Sequence, residues 1–166
     1  RNNVQHALPV LQRCRFTATI YGVSGLFGGR NSWDEGLVAQ KPLMDLEDWC
    51  CWRDAGMDIG SHTRTHARLT DLDDASAREE IAGSRQDMER LLQYPVRHFC
   101  YPYGLFSVEH VEMVRQAGYT TATTTRRGRV QAGDDRFALR RIMVACSTHI
   151  PLFATKVMSG YEDRRR

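Results

Sequence analysis

The chain has 166 residues, of which 42% are hydrophobic and 26% are charged, proportions that are ordinary for a globular domain. This composition excludes a disordered protein, a coiled coil and a collagen-like fibre. Lysine and arginine number 23 and aspartate and glutamate 20, a surplus too small to indicate a nucleic-acid partner. No stretch reaches the roughly 18 apolar residues of a membrane span. We therefore expect a single domain over residues 1–166, without a membrane span.

Helical and extended patterns alternate along the chain. The first elements are a helical spacing of apolar residues over 2–13, a strand-like run rich in β-branched residues over 17–23 and a long glycine-rich loop over 24–43. Further helices are predicted at 46–55, 76–92, 107–116 and 148–158, and further strands at 57–61, 96–100, 119–125 and 139–144. Ser76 and Glu79 form a capping-box pattern at one helix start. Strands separated by such helices predict an α/β fold with a parallel sheet.

In parallel α/β folds, chemistry collects in the loops that follow the carboxyl ends of strands. The first unusual loop carries His62 and His66 directly after the predicted strand 57–61. Imidazole nitrogen is a good zinc ligand, and a spacing of four places both rings on one side of a helix or an extended segment. Two histidines without a metal are the alternative that the spacing alone leaves open.

The second unusual loop runs Tyr101-Pro102-Tyr103-Gly104 after the predicted strand 96–100. Pro102 holds Tyr101 extended and fixes its own φ, while Gly104 permits a sharp exit toward the next helix. A loop of this stiffness can aim backbone N–H groups at a ligand, and such amides stabilise an oxyanion. An ordinary turn is the alternative reading of the same residues.

Together the two loops resemble those of the polysaccharide deacetylase family, which is also called carbohydrate esterase family 4 and whose domain is called the NodB-type domain. His62 to His66 match the family's His-Ser/Thr-x-x-His metal motif. Residues 97–104 match its Arg-x-Phe-Arg-x-Pro-Tyr-Gly motif, with Cys100 where the second arginine often stands. The resemblance covers about residues 1–125 well and the remaining residues loosely.

The resemblance implies a distorted (β/α) barrel with a divalent metal, most commonly zinc, at the mouth of the strands. His62 and His66 would be metal ligands, and the metal with the backbone N–H of Tyr103 would stabilise the oxyanion formed when an N-acetyl group of a glycan is hydrolysed. His149 is the candidate general acid, although its surroundings match the family's late histidine motif poorly. Pro102, Tyr103 and Trp33 are the candidate substrate-binding residues, since aromatic faces stack on sugar rings.

One family motif has no counterpart in the sequence. Thr-Phe-Asp-Asp-Gly, which supplies the catalytic base and a metal-binding carboxylate from the first strand, is absent, and residues 1–11 look like the segment that normally follows it. The pairs Asp73-Asp74 and Asp134-Asp135 are predicted at a helix entry and a turn. We therefore expect a barrel incomplete at its N-terminal strand, weak metal binding and impaired activity of this polypeptide.

Two other functions remain open from the sequence. The first is a non-catalytic glycan-binding or structural relic of the same fold. The second is a metal hydrolase that acts on another small amide. Family habit alone favours an extracytoplasmic location, in the periplasm or cell envelope, and the residues do not indicate an oligomeric state.

Overall fold

The computed structural model describes residues 1–37 and 39–164, and its centre is a five-stranded parallel sheet. The strands lie side by side in chain order, and every neighbouring pair is parallel. They are β1 (Thr19–Gly22), β2 (Asp58–Ser61), β3 (His98–Cys100), β4 (Thr121–Arg127) and β5 (Leu139–Arg141). The predicted α/β class and parallel sheet are therefore confirmed.

Helices connect β1 to β2, β2 to β3 and β3 to β4, whereas residues 128–138 join β4 to β5 without a helix. The helices are α1 (Leu8–Cys14), α2 (Leu46–Asp54), α3 (Asp74–Arg78), α4 (Ser84–Leu92), α5 (Val108–Gln116) and α6 (Ile150–Met158). The π-helical turn Glu79–Gly83 joins α3 to α4, so that the two helices and the turn form one continuous helical segment. Within the described residues, no helix combines the length and the apolar side chains that a bilayer crossing demands.

The start of α3 differs from the prediction. The side chain of Asp73, not that of Ser76, caps the helix, accepting a hydrogen bond from the Ser76 backbone N–H at 2.8 Å. The capping box predicted from Ser76 and Glu79 was therefore wrong. Asp73 precedes Ser76 by three residues, just as Ser76 precedes Glu79. Aspartate caps a helix as well as serine does, so the same spacing allows either residue to be the cap.

The central strands contribute the most deeply buried part of the core. Ile59 of β2, Phe99 of β3 and Ala122 of β4 have no exposed surface. Trp49 and Trp52 cover this region from α2 and are also buried. Parallel strands covered on both faces have this continuous apolar character, which fixes the position of the loops at their ends.

The sheet does not close into a barrel over the described residues. There, β1 pairs only with β2 and β5 only with β4. This open sheet agrees with the expectation of an incomplete barrel. Because the strands are parallel, the loops that follow β1, β2 and β3 lie at one edge of the sheet.

Candidate functional site

Four of the predicted site residues meet at the carboxyl edge of the sheet. His62 and His66 follow β2, Tyr103 follows β3, and Trp33 lies in the long loop after β1. The His66 ring is 4.7 Å from the His62 ring and 4.8 Å from the Tyr103 ring, measured between centroids, and meets both edge to face. Trp33 stacks nearly parallel on His66 at 4.4 Å. Side chains from three loops therefore converge on one imidazole.

A backbone carbonyl orients His62. Its Nδ1 lies 2.6 Å from the carbonyl oxygen of Cys100, at the end of β3. A carbonyl oxygen can only accept, so Nδ1 carries the hydrogen and Nε2 keeps its lone pair. This is the arrangement by which proteins commonly fix the tautomer and direction of a metal-binding histidine.

His66 is held in the neutral state. Its pKa is lowered from 6.5 to about 4, mainly by burial and to a smaller extent by the charge of nearby His62, while the carboxylate of Asp34 opposes the shift. Its Nδ1 is buried and has no hydrogen-bond partner among the described residues. A neutral imidazole with an unshared ring nitrogen is the form that binds a metal.

The loop between the two histidines has an unusual backbone. Thr63 and His66 adopt positive φ angles of 68° and 64°, a region that side-chain-bearing residues rarely occupy. The hydroxyl of buried Thr63 accepts from the His66 N–H at 3.0 Å. Backbone N–H groups of Ser24 and Gly25 donate to the carbonyls of Thr63 and Arg64 at 3.1 and 2.9 Å. Backbone strain of this kind persists where the surroundings hold it, and it clusters at active sites.

Tyr103 contacts His66 from the loop that follows β3. Pro102 is buried, whereas Tyr103 adopts a φ of 58° and is 41% exposed. The guanidinium of Arg68 lies 5.1 Å above its ring. The backbone N–H of Tyr103 makes no hydrogen bond to any described residue, so it is free to donate to a ligand.

The described residues bring two imidazoles together without a third ligating side chain beside them. Among residues 1–37 and 39–164, no three histidine, cysteine, aspartate or glutamate side chains stand close enough to share an ion. Asp73 is used as the α3 cap. Asp134 pairs with Arg140 at 3.2 Å, and Asp135 accepts from the Phe137 N–H at 2.9 Å. Both aspartate pairs therefore lie where they were predicted, at a helix entry and a turn.

His149 stands at the start of α6. Its Nδ1 accepts a hydrogen bond from the Leu152 N–H at 3.3 Å, which makes it the helix cap. It is exposed, and no contact among the described residues joins it to His62, His66 or Tyr103. The role of His149 as general acid stays a prediction.

An apolar cavity of about 170 Å³, which the sequence did not indicate, opens beside His62. It runs along the free edge of β1 and is lined in part by Ile20, Phe27, Trp33 and Trp49. The sequence also gave no sign of the Cys100 carbonyl that orients His62, because a backbone contact depends on register and not on residue type. Arg68 was missed although it follows His66 by only two positions.

The sequence model of the family described as polysaccharide deacetylase matches residues 1–122. The chain belongs to the polysaccharide deacetylase family. It is 24% identical over 168 residues to the poly-beta-1,6-N-acetyl-D-glucosamine N-deacetylase of Staphylococcus epidermidis, an alignment covering 96% of this chain and 56% of the relative. YxkH of Bacillus subtilis is 24% identical over 144 residues, covering 87% of this chain and 48% of YxkH. The chain thus spans about half the length of these curated relatives.

The fold is shared with solved deacetylase structures. The Streptococcus pyogenes deacetylase PplD, solved in complex with acetate, superimposes with a TM-score of 0.80 at 18% identity, over 93% of this chain and 65% of PplD. A polysaccharide deacetylase from Bacillus cereus gives a TM-score of 0.78 at 24% identity, over 95% of this chain and 48% of its own. At such identities the likeness establishes the fold alone.

Proposed function

We propose that the site around His62 and His66 hydrolyses N-acetyl groups of a polysaccharide or an N-acetylated sugar, with a divalent metal as cofactor. The observation that carries this proposal is the adjacency of the His62 and His66 imidazoles, whose ring centroids are 4.7 Å apart at the carboxyl edge of the sheet of a polysaccharide deacetylase. Family membership alone would not tell whether His62 and His66 lie close enough together to share an ion.

The two histidines fit a metal in part. His62 offers Nε2, because its Nδ1 is committed to the Cys100 carbonyl, and the neutral ring of His66 offers a nitrogen lone pair. When bound, a divalent ion, with zinc the expected one, polarises a carbonyl oxygen and lowers the pKa of a bound water. Among the described residues, no third histidine, cysteine, aspartate or glutamate side chain stands close enough to complete a three-ligand group with this pair.

The chain's own groups would bind and orient the acetamide. The free N–H of Tyr103 is placed to donate to the acetamide oxygen as negative charge develops on it, a contribution that mutagenesis of comparable donors puts at about 3 kcal/mol. The rings of Trp33 and Tyr103 flank His66 and offer faces on which a sugar can stack. His149 would protonate the departing amine only if a movement brought it to the site.

We propose a polymer of N-acetylglucosamine as the substrate class. The Staphylococcus epidermidis relative is named for its action on such a polymer, and it aligns with 96% of this chain. An envelope polymer would place the reaction outside the cytoplasm. A small amide as substrate is the competing proposal within the same chemistry.

A polypeptide of these 166 residues alone should bind zinc weakly and deacetylate slowly. Catalytic zinc sites usually have three protein ligands, and two imidazoles leave the ion held mainly by water. A non-catalytic glycan-binding role is the second candidate, and the two-ligand set of the described residues favours it.

Release of acetate tests the proposed function. The full natural protein is incubated with oligomers of N-acetylglucosamine, with and without a chelator, and compared with His62→Gln and with His6→Gln, which removes an exposed imidazole elsewhere. We expect chelator-sensitive acetate release that His62→Gln abolishes and His6→Gln leaves unchanged. Oligomer binding without acetate release would favour the non-catalytic role, and acetate release only from small amides would replace the substrate class.

A further inference from the structure

The loop between the two histidines is bound to the helical layer by one carboxylate. Glu80 accepts hydrogen bonds from the Arg64 N–H at 2.8 Å and the Thr65 N–H at 3.0 Å on one oxygen. Its other oxygen accepts from the Thr65 hydroxyl at 2.8 Å. Three donors from two successive loop residues therefore converge on a single side chain, 15 residues further along the chain.

These contacts act at the middle of a strained segment. Thr63 and His66, on either side of Arg64 and Thr65, are the two loop residues with positive φ angles. Such conformations are unfavourable for residues with side chains and persist only when neighbouring groups hold them in place. Because the Glu80 side chain reaches both Arg64 and Thr65 and accepts three hydrogen bonds from them, it is suited to hold these conformations.

The helix that carries Glu80 is itself shaped for this contact. Glu80 lies in the π-helical turn Glu79–Gly83, and π turns within α-helices occur frequently at functional sites. The Arg64 side chain lies across Gly83, where an added Cβ would stand only 2.4 Å from its guanidinium carbon. Asp87 then pairs with the Arg64 Nε at 2.7 Å. The loop backbone and the Arg64 side chain are thus both fastened to one face of the helix.

We propose that Glu80 is a positioning residue that sets the relative orientation of the His62 and His66 rings. It touches neither ring and acts through the Arg64 and Thr65 amides, which lie midway between them. The consequence for metal binding rests on the proposed function, whereas the consequence for ring geometry does not.

Four variants distinguish the effect of the length of the Glu80 side chain from the effect of its charge. Glu80→Ala removes the acceptor, Glu80→Asp keeps the charge but shortens the reach by one methylene, and Glu80→Gln keeps the reach but loses the charge. Glu79→Gln is the matched control, because among the described residues the Glu79 side chain pairs only with the Arg64 guanidinium. If Glu80→Ala does not fold, Glu80→Asp retains a helix-compatible carboxylate and gives the same comparison.

The first measurement needs no metal. In the metal-free protein, nuclear Overhauser contacts between the His62 and His66 rings and the hydrogen-exchange protection of the Arg64 and Thr65 amides are recorded by NMR. We expect both to be lost in Glu80→Ala and Glu80→Asp and kept in Glu80→Gln and Glu79→Gln. Retention of both in Glu80→Ala overturns the proposal.

The second measurement is Co²⁺ binding, followed by visible absorption of the wild-type protein and the four variants. We expect Glu80→Ala to weaken Co²⁺ affinity by about 10–100-fold, the range found for residues that orient metal ligands. Unchanged Co²⁺ affinity in a Glu80→Ala variant whose ring contacts are lost overturns the positioning role. If the wild-type chain binds no Co²⁺, the metal proposal fails, and the ring contacts alone decide the role of Glu80.

Discussion

His66 is the side chain on which the site converges. Trp33 covers one face of its ring, while His62 and Tyr103 meet it edge to face. This enclosure removes water from the imidazole and disfavours its protonated form, which is why its pKa falls to about 4. The ring is thereby kept in the neutral state that a metal requires.

The titration of His66 in the metal-free protein should show this environment. We expect its imidazole NMR signals to titrate near pH 4, well below the ordinary value of 6.5. A His66 midpoint close to 6.5 would mean that the ring is solvated and that its neighbours do not enclose it.

The same shift has a consequence for stability. Between pH 4 and 6.5 the unfolded chain holds a proton on His66 that the folded chain does not, so unfolding is favoured as the pH falls through this window. The contribution is fully present above about pH 6.5 and is lost toward pH 4. Urea unfolding of the wild type and His66→Gln should differ in pH dependence over that window, and parallel curves would contradict this assignment.

At the residue scale, the sequence predicted which side chains meet but not how they are oriented. The side chains of His62, His66, Tyr103 and Trp33 lie in contact, while their roles in metal and substrate binding stay predictions. The Cys100 carbonyl that orients His62 and the Glu80 carboxylate behind the loop could not be foreseen. Each depends on tertiary placement of a distant segment and on no local pattern.

At the scale of elements, the histidine loop is enclosed between the β1–α2 loop and the helical segment that carries Glu80. Gly25 donates to the Arg64 carbonyl at 2.9 Å, and a Cβ at Gly25 would stand 2.7 Å from that oxygen. The absence of a side chain at Gly25 therefore permits the close approach of two backbones.

Replacing Gly25 with alanine should displace the histidine loop. We expect Gly25→Ala to lower the free energy of unfolding by about 1–3 kcal/mol, the usual cost of overpacking, and to weaken Co²⁺ binding. Gly160→Ala is the control, since a Cβ there would meet only the side-chain ends of Asp163 and Arg129. Equal stability and Co²⁺ affinity of the two variants would show that the loop has room to move.

The start of α3 offers a test of the capping assignment. Asp73→Ala should lower the melting temperature more than Ser76→Ala, because Asp73 accepts from the Ser76 N–H and Ser76 caps nothing. The reverse order would restore the box predicted from Ser76 and Glu79. Sequence patterns could not decide between these caps, because Asp73 and Ser76 are both residue types that favour the N-cap position and they lie only three residues apart.

At the scale of the whole molecule, the sheet has two open edges over the described residues. β1 presents one of them, and the apolar cavity beside it extends to His62. The order of helices and strands predicted this parallel sheet, because periodicity and turn residues are local signals. The extent of barrel closure could not come from those signals, since closure depends on pairing between distant strands.

The open edge of β1 should make the 166-residue polypeptide self-associate. An unpaired, partly apolar strand edge is a template for pairing with another chain. We expect light scattering coupled to size-exclusion chromatography to show a mass that rises with protein concentration. A monomeric mass that stays constant over a roughly hundredfold range of dilution would contradict this expectation.

The central claim is that His62 and His66 act together as metal ligands, and a Zn²⁺ titration of the histidine imidazole NMR signals tests it most directly. The chain has six histidines, so the other four serve as internal controls. The account predicts that the signals of His62 and His66 change together and before those of the other four. A Zn²⁺ response that begins at any other histidine, or that involves only one of the pair, would contradict it.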